Sequence, residues 1–159
     1  MKIVADTSPL IAFAILQKLE LLHQIFDEIW LPTAVFQEAT TPDKPHQQTI
    51  AQFAQNKVKP IQNRLAVQML TNDVDLGEAE AIVLALENGI DDLLIDDAKG
   101  RRVARLNGRY PIGTIGVLLQ AKQTGHIPQV KPHLDMLIAN KIRIGANLYH
   151  HALQLAKEL

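Results

Sequence analysis

The chain has 159 residues with sixteen basic and seventeen acidic side chains, a net charge of -1, which sets aside a sequence-blind nucleic-acid coat and fits one domain with a self-sufficient core. Hydrophobic residues at 47% and charged ones at 21% exclude a disordered chain, and aromatics at 4% leave the core to Leu, Ile, Val and Ala. The lack of cysteine excludes disulfides, thiolate nucleophiles and Cys-based metal sites, and suits a reducing cytosol.

Lys2 to Ala5 predicts a short buried strand beginning almost at the first residue, punctuated by Asp6-Thr7-Ser8-Pro9. Ser8 is a good N-cap and Pro9 suits a first helical turn, so a helix is expected from there to about Lys18. A second short helix follows over Leu19 to Phe26, then a strand over Glu28 to Leu31 and a helix opened by Pro32 and running to about Ala39. Thr40 to Pro45 is a loop, His46 to Gln55 a polar helix, Val58 to Ile61 a short strand, and Leu65 to Leu70 weakly helical. Gly77 to Glu87 predicts a largely apolar helix closed by Asn88-Gly89.

Leu93-Leu94-Ile95, bounded by acidic pairs, reads as a buried parallel strand. A basic helix follows, closed near Asn107-Gly108. Ile112 marks a last strand, Thr114 to Gln123 a helix, and Gln129 to Leu159 two more helices broken around Arg143 to Gly145. Strands alternating with helices imply an α/β fold in three layers, α/β/α, with a central, mostly parallel sheet of four or five strands. No repeat, low-complexity stretch or linker marks a second domain, so residues 1–159 are expected to form one, with the helices from about residue 129 packing on or extending it.

The apolar opening, Ile3 to Leu16, is interrupted by Asp6 and lacks a cationic n-region and a cleavage site, so no secretory signal is expected. No uninterrupted apolar run reaches the length of a membrane span. The expectation is a cytoplasmic protein with no membrane partner.

In parallel α/β sheets, ligands sit beyond the carboxyl ends of the strands. Asp6 falls there after the first strand, and Asp96-Asp97 after the strand at Leu93 to Ile95. Asp6 could simply cap the next helix, although Ser8 can fill that role. One of Asp96 and Asp97 should cap the helix beginning at Ala98; adjacent residues on an extended chain point opposite ways, and which faces a site is open. Glu38 shares a helix face with Val35, three residues away, and so is drawn toward protein, although a surface Glu is the plainer explanation. Glu78 and Glu80 open an otherwise apolar helix whose dipole favours either of them. Two positions apart on a helix, at most one should enter a shared cleft.

Gathered carboxylates repel one another unless a cation neutralises them. With no cysteine, and no histidine at ligand-like spacing to an acid, an all-oxygen site suits Mg²⁺ or Mn²⁺, and such ions activate water for phosphodiester hydrolysis. Thr7 and Ser8, beside Asp6, could bond a carboxylate, a water or a phosphate. Lys99, Arg101, Arg102, Arg105 and Arg109 fall in one segment free of acids, while acids crowd Asp73 to Asp97. Such a cationic patch would hold a phosphate backbone beside the acids, with a solvated helix face as the bland alternative.

With these residues in place, the chain resembles the PIN-domain family, and within it the small prokaryotic VapC-like proteins. Val4-Ala5-Asp6-Thr7-Ser8-Pro9-Leu10 is similar to the family's opening strand and first acid, and Pro32 through Glu38 to its Pro-x-x-Val-x-x-Glu helix. Gly77-Glu78-Ala79-Glu80-Ala81-Ile82 resembles the third acidic segment and Leu94-Ile95-Asp96-Asp97 the fourth. The run from Gly113 to Leu119, with Ala121-Lys122 and Gly125 to Pro128, resembles an uncharacterised subgroup.

The resemblance implies a PIN-like fold and a Mg²⁺- or Mn²⁺-dependent endoribonuclease, often the toxin of a toxin–antitoxin pair with a cognate antitoxin, and commonly a homodimer. By motif it implies Asp6, Glu38, Glu80 and Asp97 as the catalytic, metal-binding acids, with Glu78 and Asp96 as alternates, Thr7 and Ser8 in support, and Lys99, Arg101, Arg102 and Arg105 toward RNA. Glu80 is preferred because Glu80-Ala81-Ile82-Val83-Leu84-Ala85 best matches the family's acid-Ala-x-Ile-x-Ala pattern. The chain departs from the common toxins in having Glu at the third acid and Asp-Asp at the fourth, where Thr often precedes the acid. A haloacid-dehalogenase-type phosphohydrolase needs Asp-x-Asp where this chain has Asp6-Thr7-Ser8, and a receiver domain fits the order of acids poorly. A PIN-like module that binds RNA or protein without cutting is the competing reading.

Overall fold

The computed structural model describes residues 1–159. The five strands are β1 (Lys2–Ala5), β2 (Glu28–Pro32), β3 (Val58–Lys59), β4 (Asp92–Leu94) and β5 (Tyr110–Ile112), all parallel and ordered β3-β2-β1-β4-β5. The ten helices are α1 (Thr7–Ile15), α2 (Leu19–Ile25), α3 (Thr33–Ala39), α4 (Gln47–Phe53), α5 (Arg64–Leu70), α6 (Leu76–Glu87), α7 (Ala98–Leu106), α8 (Thr114–Gln123), α9 (Lys131–Ala139) and α10 (Ala146–Ala156). The three-layer α/β/α arrangement expected from the alternation of strands and helices is therefore present, with the sheet parallel throughout.

Both faces of the central strands are buried, and alternation along β1 and β4 assigns their side chains. Ile3 and Ala5 of β1 and Leu94 of β4 join the larger apolar cluster, with residues of α1, α2, α4, α8, α9 and α10. Val4 and Leu93 face the other way, into a smaller cluster with α5, α6 and α7. Two-sided burial explains why β1 and β4 lack the polar alternation of a half-exposed strand. None of the ten helices is long and apolar enough to cross a membrane.

Strand order decides where a ligand can sit. The chain leaves β1 toward β2 and β3, then crosses back to β4 on the opposite side of β1. The crevice beyond the carboxyl ends of β1 and β4 is thus the topological switch point. Asp6 leaves β1 there and Asp96 follows β4 by two residues.

Several boundaries differ from expectation for local reasons. Helix α1 begins at Thr7, so Ser8 lies within its first turn and is not its N-cap; Asp6 occupies that position with extended backbone. The helix stops at Ile15 because Gln17 takes a left-handed conformation, φ 56°, and Lys18 N–H closes back on Phe13 O. Strand β4 ends at Leu94, yet Ile95 N–H still donates to Ile112 O at 2.9 Å. Gly89, at φ 63°, closes α6 as anticipated, with Ile90 N–H returning to Ala85 O. The break between the last two helices begins earlier than expected, at Asn140.

Because Leu93 is fully buried against α6 and α7, Leu93→Ala is expected to cost ~2–5 kcal/mol. Chemical denaturation reads this directly. A loss below about 1 kcal/mol would mean the second layer is not packed as described.

Candidate active site

Asp6 is held where β1 ends and α1 begins; its N–H donates to Leu94 O at 2.9 Å, tying the turn to β4. It stands at the N-cap position of α1, but its side chain accepts no capping hydrogen bond. The carboxylate is instead 6% exposed and directed toward other acids. Burial, first of all, pushes its pKa up to about 7; the Thr7 backbone N–H pulls the other way, and the charges of Asp75, Glu38 and Asp96 raise it further.

Glu38 reaches the same place from the last turn of α3. A Cβ on Gly77 would lie 3.2 Å from Glu38 Oε2 and 3.5 Å from Asp6 Oδ1, so the two carboxylates converge over this glycine at the start of α6. Thr7 Oγ1 donates to Glu38 Oε2 at 3.2 Å, which orients the second acid against the first. Ser8, expected beside it in support, is exposed and makes no side-chain hydrogen bond near Asp6.

The pair on α6 divides by face. Glu78 is buried with its carboxylate against Gly100, where an added Cβ would lie 2.5 Å from Glu78 Oε2. Its pKa is raised to about 8, by burial first and then by Asp75, Asp6 and Asp97. Glu80, preferred on motif grounds, is occupied elsewhere. Its Oε1 accepts from Ala34 N–H at 2.9 Å, and its Oε2 pairs with Arg64 Nη1 at 2.7 Å. Pro32, at the N-cap of α3, has no side chain that can cap; the carboxylate of Glu80 satisfies that helix end from α6.

The adjacent acids after β4 divide likewise. Asp97 caps α7, accepting from Gly100 N–H at 2.9 Å, while its charge still reaches Glu78. Asp96 turns the other way and acts on Asp6. Its two oxygens accept from Thr114 N–H at 2.7 Å and Thr114 Oγ1 at 2.6 Å. That close approach needs Gly113, where a Cβ would sit 2.9 Å from Asp96 Oδ1.

Two contributors were not singled out from sequence. Asp75 acts on both raised carboxylates and forms a capping box with Glu78, each side chain accepting from the other's N–H. The signal was available in Asp75-Leu76-Gly77-Glu78, an N-cap acid followed three residues later by Glu. Thr114 gave no chemical signal beyond opening a helix. Of the basic residues of α7, Lys99, Arg102 and Arg105 are exposed, but Arg101 is half-buried with Nη1 on Ile95 O at 3.0 Å. Burial lowers its pKa, with Arg105 adding to the effect.

An all-parallel three-layer sheet with acids gathered beyond β1 and β4 defines the class to which this chain belongs, an α/β protein with a carboxylate cleft at its switch point. A family model described as a PIN domain, DUF3368, matches residues 2–158, and the chain belongs to this PIN-domain family, whose fold is that of a nuclease. No curated protein and no solved structure matches the chain.

Asp6 and Glu78 each bind a proton more tightly folded than unfolded, since folding raises values of 3.8 and 4.5 to about 7 and 8. Their effect is to make stability fall as pH rises through that window, in metal-free protein. The thermal midpoint in EDTA is therefore expected to drop by several degrees between pH 5 and pH 8, and Asp6→Asn to flatten the drop. A pH-independent midpoint would contradict burial as the cause. Separately, Glu80→Ala strips Ala34 N–H of its acceptor and Arg64 of its partner, an expected cost of ~1–3 kcal/mol in denaturation.

Proposed function

We propose that this chain is a divalent-metal-dependent endoribonuclease that hydrolyses RNA phosphodiester bonds at the cleft between β1 and β4. The observation that carries the reading is Asp6, a buried carboxylate whose charged neighbours are all acids. A site of that kind lowers the stability of the folded chain unless a cation enters it.

The donor chemistry fits Mg²⁺ or Mn²⁺. The chain offers no thiolate, and no three His, Cys, Asp or Glu side chains are gathered closely enough to form a ready-made metal cage. Zinc favours three or four protein ligands, whereas Mg²⁺ keeps several waters and needs only one or two carboxylates. Asp6 and Glu38 are the proposed direct ligands, with Asp96 as the third acid and Glu78 behind Asp6. This set departs from the motif-based one at two places, because the carboxylate of Glu80 holds α3 and that of Asp97 caps α7. The cation supplies Lewis acidity toward a phosphodiester oxygen and lowers the pKa of a water. Thr7 holds Glu38 in orientation, and Thr114 does the same for Asp96. Lys99, Arg102 and Arg105 remain available to phosphates, and Arg101 braces the end of β4.

The finer reading, a cytoplasmic homodimeric toxin neutralised by a cognate antitoxin, draws its support from the resemblance to VapC-like proteins. Growth arrest on expression, relieved by a product encoded beside it, is the expected outcome.

Purified protein is expected to cut single-stranded RNA with Mg²⁺ or Mn²⁺ and to stop in EDTA. Asp6→Asn should slow cleavage roughly 100-fold or more with an unchanged circular dichroism spectrum. Undiminished cleavage by that variant removes Asp6 from the site. Wild type that neither cuts RNA nor binds Mn²⁺ in calorimetry would favour a non-catalytic PIN-like binding module.

A further inference from the structure

Beside the carboxylate cleft lies a cavity of about 320 Å³ lined by polar, cationic and apolar side chains together. Ser8, Asp96 and Thr114 are among them, so Asp96 belongs to both spaces. The connection between α9 and α10 supplies Lys141 and Arg143 with Ile142 and Ile144 between and after them, and Leu148 adds an apolar wall from the first turn of α10.

The two cations are notable for what they do not do within the fold. Both are exposed, and neither side chain makes a hydrogen bond or an ion pair inside the protein. Arg64, Lys122 and Lys131 are engaged with Glu80, Glu158 and Asp135, whereas Lys141 and Arg143, like Lys99, Arg102 and Arg105 of α7, are left free for a ligand. The backbone that presents the pair is a hydrogen-bonded turn. Lys141 takes a left-handed conformation, φ 69°, and the turn is closed by Lys141 N–H on Ile138 O and Ile142 N–H on Leu137 O. This is the helix end that glycine ordinarily closes, as Gly89 and Gly125 do at the ends of α6 and α8.

We propose that this cavity seats one unstacked nucleotide of the RNA strand, and so reads the base next to the bond that is cut. The inference rests on the ribonuclease reading of the neighbouring cleft for its place in the reaction, but not for its chemistry. Lys141 and Arg143 hold the phosphate of that nucleotide by charge-assisted hydrogen bonds. Ile142, Ile144 and Leu148 give its base an apolar surface, which only a base out of the helical stack can use. The volume lies at the small end of ligand sites, room for one nucleotide rather than a stack. The shared Asp96 places this seat directly beside the proposed cation site. Duplex RNA does not suit it, because paired bases cannot reach the apolar wall.

The four ribonucleoside 5′-monophosphates are the probe, since none can be cleaved, and the methyl signals of Ile142, Ile144 and Leu148 in the full-length protein are the readout. Titration with Mg²⁺ present should shift these methyls saturably, with affinities that differ several-fold among the bases. Lys141→Gly and Arg143→Ala should each weaken binding roughly tenfold or more. Glycine suits the left-handed turn, so the Lys141→Gly protein should melt at or above the wild-type temperature; weaker binding is then not misfolding. No shift at these methyls, the same shifts with inorganic phosphate alone, or unchanged affinity in both variants would overturn the proposal. Cleavage of RNA hexamers by the wild type, measured alongside, separates the two readings. Nucleotide binding without cleavage leaves the seat standing and removes the ribonuclease, whereas cleavage without the methyl shifts does the reverse.

Discussion

The carboxylate of Asp6 sits inside the protein because β1 ends there, and β1 is the strand from which the chain goes out in both directions along the sheet. An anion in that position is costly unless the surroundings oppose its charge. In a parallel α/β fold they partly do, since helices following the strands begin at this same edge and turn their N-termini toward it. Helices α1, α6, α7 and α8 start beside Asp6, Asp75, Asp97 and Thr114 in that way. The dipoles do not suffice: Asp6 and Glu78 still have raised pKa values, with burial as the main cause. The remaining imbalance is the physical ground for the cation proposed at this edge.

The acids around that edge fall into two groups by what they accept from. Asp75, Glu80 and Asp97 accept backbone N–H groups at helix starts, and Glu80 also meets Arg64. Asp6 and Glu38 accept little from backbone and face each other over Gly77. Asp96 stands between the groups, oriented by Thr114 yet turned toward Asp6. The acids that cap therefore fix the helices on which the facing acids ride. Glu80 is the clearest case, since it secures the first turn of α3 while Glu38 occupies the last. Glycines enter where these approaches are closest, at Gly77, Gly100 and Gly113.

Positive charge is distributed on two sides of the cleft rather than one. Helix α7 offers Lys99, Arg102 and Arg105 from beyond β4, while Lys141 and Arg143 stand on the connection between α9 and α10. A strand of RNA passing over the carboxylates would meet cations before and after them, although the net charge of the chain is only -1.

Much of this was legible in the sequence. Period, turn residues and caps determined the alternation of elements, the buried character of β1 and β4, and the closure of α6 at Asn88-Gly89, because these depend on residues close along the chain. The position of Asp6 followed too, since an acid directly after a buried parallel strand has only one edge of the sheet to occupy. Which member of each acidic pair faces the cleft did not follow. Glu78 and Glu80 differ only in their direction around α6, and that direction is set by packing against β1, β2 and α3, residues distant in sequence. Asp96 and Asp97 were separated by Thr114, eighteen positions after Asp96, and by the start of α7. Arg101 looked like its basic neighbours until the end of β4 claimed its guanidinium. Local chemistry chose the residue types, and only long-range packing chose their directions.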